Sequence, residues 1–129
     1  MIPDDIRRFI VQYVPSVPFL EALLLLRDGA QRDWDSTELA ARLYLGAPAA
    51  AILLEQLSRI GLLARDAATP PRYRYVPRTA QLGAMADRLA AVYAQNLVEV
   101  STLIHAGSNR KARLFADAFV LRKTHKEDH

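Results

Sequence analysis

The chain has 129 residues, 51% of them apolar, with 17 Lys and Arg against 14 Asp and Glu and no cysteine. That length suits one domain with a real core, the apolar share argues against disorder outside the ends, and the lack of cysteine excludes a disulfide framework and any thiolate metal site. The net charge of +3 is uneven, because residues 65–78 and 107–129 carry +3 each while the other segments are slightly acidic, and a polyanion responds to such patches more than to the total.

In chain order, Asp4 and Asp5 suit the start of a first helix, where the macrodipole favours negative charge. Ile6, Phe9, Ile10 and Tyr13 then share one face. Pro15 ends that helix and Ser16 can cap the next. The second helix, SVPFLEALLLLRDG, is apolar nearly all round, the mark of a buried helix, and Gly29 stops it. Its apolar run, Val17 to Leu26, is broken by Glu21 and is too short to span a bilayer. The N-terminus lacks a signal-peptide layout, so a soluble cytoplasmic protein is the expected class.

Residues 30–34 read as a short polar connection. Asp35 and Glu38 then stand at capping-box spacing, and Trp34 and Leu39 at the two positions of a hydrophobic staple. Leu39, Ala40 and Leu43 line one face of a short third helix. Gly46 is the expected left-handed turn residue, and Pro48 fits the first turn of a fourth helix. That helix buries Ala50, Leu53, Leu54, Leu57 and Ile60, and it ends at Gly61. Two short helices about a Gly-containing turn form a helix-turn-helix pattern.

Beyond Gly61 the period changes from helix to strand. Leu62 to Asp66 reads as a short strand, DAATPP as a turn-rich loop, and residues 72–76 as a strand alternating with period two. Tyr73 and Tyr75 point one way, Arg72, Arg74 and Val76 the other. From Leu82 the apolar residues Ala86, Leu89, Tyr93, Leu97, Val100 and Ile104 form one stripe at alternating three-or-four spacing, predicting a single long helix up to Gly107. Ser108 can cap a last helix with Leu114, Phe115, Ala118 and Phe119 as its apolar face and Arg110, Lys111 and Arg113 at its start. Residues 124–129 are expected to fray.

The three histidines, His105, His125 and His129, lack metal-ligand spacing with acids or with each other. Phosphate loops and nucleophile motifs are absent as well. No cofactor or enzymatic activity is therefore expected.

Three helices followed by a basic hairpin resemble the winged helix-turn-helix domains of bacterial transcription regulators. LEQLSRIGLL leading into the hairpin resembles their recognition-helix-to-wing passage. The resemblance covers residues 16–78 and implies a mainly α fold: a winged helix-turn-helix core with a two-stranded β-hairpin wing. An N-terminal helix occupies 1–15, C-terminal helices for dimerisation occupy 79–123, and a tail occupies 124–129. It further implies a DNA-binding transcription regulator, and the apolar residues along 82–104, more than one face needs against a small winged core, predict that it acts as a homodimer.

On that pattern the fourth helix enters the major groove with Pro48, Ala49, Ile52 and Glu55 outward. Base readout wants donors and acceptors, and these positions supply an acid and apolar groups. The wing supplies Arg72 and Arg74, with Arg65 alongside, for phosphates or a minor groove. Double-stranded DNA is thus the expected partner through Arg65, Arg72, Arg74, Pro48, Ala49 and Ile52. A second copy is expected through Leu82, Leu89, Tyr93, Leu97, Val100 and Ile104. The alternatives are a winged-helix module that binds a protein partner through its apolar fourth helix, and a regulator with a ligand pocket between the long helix and the winged core.

Overall fold

The computed structural model describes residues 1–107 together with Leu114 and Ala116. The order is α1 (Asp4–Tyr13), α2 (Val17–Asp28), α3 (Ser36–Leu43), α4 (Ala47–Arg59), β1 (Leu63–Arg65), β2 (Tyr73–Tyr75), α5 (Ala80–Gln95) and α6 (Leu97–Gly107). It is a mostly helical winged helix-turn-helix fold with a two-stranded antiparallel wing, as the resemblance implied. No single helix among the described residues is long and apolar enough to cross a membrane.

Local signals account for most element starts. The Ser16 hydroxyl accepts from the Phe19 amide at 3.2 Å, and the Asp35 carboxylate accepts from the Glu38 amide at 2.8 Å. Thr79 does the same for α5, accepting from Leu82 at 3.0 Å. Each bond satisfies an amide that the first turn leaves without a helical partner. The capping box is one-sided, however. The Glu38 side chain turns outward to Arg32 and Arg72, at 2.7 and 2.9 Å.

The left-handed residue between α3 and α4 is Tyr44, not Gly46. Tyr44 has φ 57 and ψ 42, whereas Gly46 has φ −72. The Ala40 carbonyl accepts from both the Tyr44 and Leu45 amides, closing α3 before the turn reaches the glycine. At Gly61 the expectation holds. It ends α4 with φ +95, a region that costs a residue bearing a Cβ.

The core fills the space between α2, α3, α4 and the hairpin. Phe19, Leu20, Ala22, Leu23 and Leu26 of α2 are buried with Leu39, Leu54, Leu57 and Leu62. Trp34 and Leu39, the staple pair, lie in the same core. In the hairpin, Leu63 pairs with Tyr75, Ala64 with Arg74 and Arg65 with Tyr73. Trp34 adds an isolated antiparallel bridge to Tyr73, so the supposed polar connection before α3 ends in a strand-like residue on the sheet.

The predicted long C-terminal helix is two helices. Asn96 breaks it, with φ −135 and ψ 47. Its side-chain amide donates to the Val92 carbonyl at 3.0 Å, and its own carbonyl accepts from Val100 at 2.9 Å. Such competition for backbone groups is why asparagine favours helix ends over interiors. The turn sets α6 against α1, where Leu103, Ile104 and Gly107 face Ile10, Val11 and Val14 across a narrow cleft. The Arg88–Asp5 ion pair ties α5 to α1. The expected last helix and tail lie outside the described residues, save Leu114 and Ala116, which are helical and exposed.

Candidate functional site

The surface formed by α3, α4 and the wing is the part of the fold that the sequence singled out. All four positions expected to face outward on α4 do so: Pro48, Ala49, Ile52 and Glu55 are exposed, as are Ala47 and Ala51. Their period follows from the buried set Ala50, Leu53, Leu54 and Leu57 on the opposite face. The outer face therefore carries no hydrogen-bonding side chain until Glu55, and Glu55 is paired with Arg59 at 2.7 Å. Tyr44, 95% exposed, stands at the turn into this helix.

Arg72 and Arg74 of the wing are paired with acids. Arg72 donates to Glu38 at 2.9 Å and to the Asp33 carbonyl at 3.2 Å, and it lies 3.5 Å from the Asp35 carboxylate. The hydrogen bond it donates to Glu38, with the charges of Glu38, Asp35 and Asp33 around it, holds the Arg72 guanidinium above its ordinary pKa. Arg74 donates to Asp33 through Nε at 2.8 Å, leaving its terminal amines available. Arg65 is paired across the ladder with Tyr73, while Ala64 sits opposite Arg74, so the ladder puts Arg65 on the Tyr73 side of the sheet, since directly opposed residues share a face. At the end of β1 it is exposed, and it lines a shallow depression with Asp33, Asp66, Arg72 and Arg74.

The hinge of this surface is Trp34. Its ring is buried, with the Arg32 guanidinium 3.9 Å from the ring centroid and that of Arg42 at 5.8 Å. Arg32, Arg42, Arg72 and Arg74 thus gather around the entry to α3 against Asp33, Asp35 and Glu38. Sequence reasoning missed Arg32, Arg42 and Tyr44. The staple spacing signalled that Trp34 is buried, but it carried no sign that the ring is an arginine platform.

Of the six residues assigned to a dimer interface, three are occupied within the chain. Leu89, Val100 and Ile104 are 0–2% exposed. Leu82 and Tyr93 are half-buried, and Leu97 is exposed. The bend at Asn96 is the cause, since it folds the apolar stripe back onto α1 and the core. Among the described residues, Val11 and Tyr13 of α1 and Leu97 and Val98 of α6 are large apolar side chains left exposed.

The cleft considered for a ligand exists in outline. About 270 Å³ opens between α1, the end of α4 and the start of α5, lined by Phe9, Tyr13, Ile60, Gln81, Leu82 and Met85. Gln81 and the Tyr13 hydroxyl are the polar side-chain groups of that lining, so it lacks the convergent polar set that orients a specific ligand.

No family model matches this sequence, and no curated protein sequence does. Solved structures do match it in shape. A MarR family protein from Bacillus stearothermophilus is similar with a TM-score of 0.52 at 22% identity, over 95% of this chain and 81% of that one. MepR, a transcription regulator of the Staphylococcus aureus multidrug efflux pump MepA, gives 0.54 at 13% identity, over 93% and 87%. A mutant MarR from E. coli gives 0.52 at 13% identity, over 96% and 97%. At these identities the likeness establishes the winged-helix fold.

Proposed function

We propose that this winged-helix chain is a DNA-binding transcription regulator that works as a homodimer. One observation carries the reading: the outer face of α4 stands uncovered beside an exposed hairpin bearing Arg65 and Arg74. Small side chains at Ala47, Pro48, Ala49 and Ala51 let the helix approach a groove closely. Residues 32–78 hold seven arginines against five acids, which suits a polyanion. Phosphate contact falls to Arg65, Arg74 and Arg42, while Arg72 braces the wing against α3. MepR, similar in shape, is a transcription regulator, an analogy of fold that adds to the reading without placing a site. The dimer contact is assigned to Val11, Leu97 and Val98, with Tyr93 at the preceding end of α5.

The test is a salt series of binding to random-sequence duplex DNA. Affinity should fall with salt, and Arg65→Ala or Arg74→Ala should each flatten the log–log slope by about 0.9, the release expected per phosphate. No binding to any duplex at ~50 mM salt, where phosphate contacts are strong, would overturn the reading.

A second reading rests on the exposed apolar groups Tyr44 and Ile52, 95% and 56% exposed. Contiguous apolar surface on a single chain marks an interaction site, here for a protein partner. On that reading Ile52→Asp abolishes association and the arginine changes do little.

A further inference from the structure

The outer face of α4 is apolar from Ala47 to Ile52, and that selects what it can read. A base pair in the major groove offers donors, acceptors and, at thymine alone among the four common bases, a C5 methyl group. Ala47, Pro48, Ala49, Ala51 and Ile52 are all exposed and carry neither donor nor acceptor in their side chains. Glu55, next along the face, is held by Arg59 at 2.7 Å. Pressed against this surface, the amino and carbonyl groups of any base pair would lose water and gain no partner, which is costly, so only the methyl can offset that loss. A thymine methyl would lose water at a gain.

Resting on the DNA reading above, the geometry points to a recognition face that selects thymine methyl groups, so that its target is thymine-rich duplex DNA read by apolar contact. Arg42 lies on α3 and Arg65 on β1, both packed against α4, and Arg74 lies on β2 beside β1; all three are exposed. Cations on the elements that neighbour an apolar strip suit a groove whose rims are phosphate and whose floor carries methyls. Ile52 is the longest side chain on the strip and reaches furthest, and Ala49 sets how closely the backbone approaches.

The experiment takes the full chain and the tightest duplex selected from a random pool, resynthesised with deoxyuridine in place of thymidine. Each contacted methyl removed should weaken binding roughly fourfold, the effect of one buried methylene-sized group. The salt slope should not change, because no phosphate contact is lost. Placing 5-methylcytosine in a G·C-rich duplex should strengthen binding by a similar factor. Ile52→Ala, at a position 56% exposed and outside the core, should shrink the preference for thymidine over deoxyuridine at unchanged slope. Equal binding to both duplexes overturns methyl readout and leaves DNA binding standing. Absence of binding to any duplex overturns both.

Discussion

Trp34 and Tyr73 exchange two backbone hydrogen bonds, Trp34 donating at 2.7 Å and Tyr73 at 2.8 Å. The bridge fixes β2 to the residue before the α3 cap, and it brings Arg72 and Arg74, on either side of Tyr73, against Asp33, Asp35 and Glu38. The wing is thereby braced at its root. Arg72→Ala and Glu38→Ala should each lower the melting temperature, and the double variant should lose less than the sum, as residues sharing one network do. Additive losses in that cycle would show the pair to be uncoupled.

Asp35 has two roles that substitution can separate. It accepts from the Glu38 amide at 2.8 Å and lies 3.5 Å from Arg72. Asp35→Ala should cost about 0.5–2 kcal/mol, the usual loss of an N-cap, whereas Asn is as good a cap as Asp. Asp35→Asn should therefore retain most of the stability in chemical denaturation. Equal losses would assign the effect to charge and not to capping.

Leu89 and Leu97 belong to the same sequence stripe but to different environments, 0% and 55% exposed. Leu89→Ala should cost about 2–5 kcal/mol, as for a buried leucine. Leu97→Glu should leave the fold intact by circular dichroism and shift the sedimentation of a dimer to that of a monomer. A wild-type chain that sediments as a monomer at high concentration would remove the dimer.

Gly61 tolerates its φ of +95 because it has no Cβ. An added Cβ would sit 3.3 Å from Leu82 Cδ2 and 3.4 Å from Arg78 Cβ, in a conformation that is strained for other residues. Gly61→Ala should destabilise by about 1–2 kcal/mol from backbone strain alone. A melting temperature equal to wild type would show that the turn relaxes freely.

Acid should weaken the fold through two surface carboxylates. The hydrogen bond from Arg88 depresses the pKa of Asp5, and the backbone hydrogen bond from Arg72 depresses that of Asp66, both below the ordinary 3.8. A depressed folded pKa stabilises the native state above the unfolded value, and the contribution is lost as pH falls through the folded one. Melting temperature should drop in that window, from near the ordinary value downward. Asp66→Asn keeps an acceptor for the Arg72 amide but does not titrate, so it should flatten the drop. An unchanged acid profile in Asp66→Asn and Asp5→Asn would remove both groups from the account.

Much of this architecture is local and was legible residue by residue. The helix caps at Ser16 and Asp35 act within three residues, the stop at Gly61 within one turn, and the alternation of residues 72–76 within a single strand. The outward set Pro48, Ala49, Ile52 and Glu55 followed from the period of the buried leucines in the same helix. Each of these signals lies within one element and its immediate flanks.

What the windows did not contain came from partners distant along the chain. Arg72 meets Glu38 across 34 positions and Arg74 meets Asp33 across 41, so two arginines of a hairpin that reads as basic in sequence are paired with acids in the fold. The apolar stripe from Leu82 to Ile104 has the period of one helix, yet Asn96 found hydrogen-bond partners for a break, including the N-terminal amine of Met1 at 3.1 Å. Burial then went to Leu89, Val100 and Ile104 and exposure to Leu97. Periodicity says which side chains share a face. It takes the packing of α1, α5 and α6 to say which of them lose water, because burial depends on what the rest of the chain brings to that face.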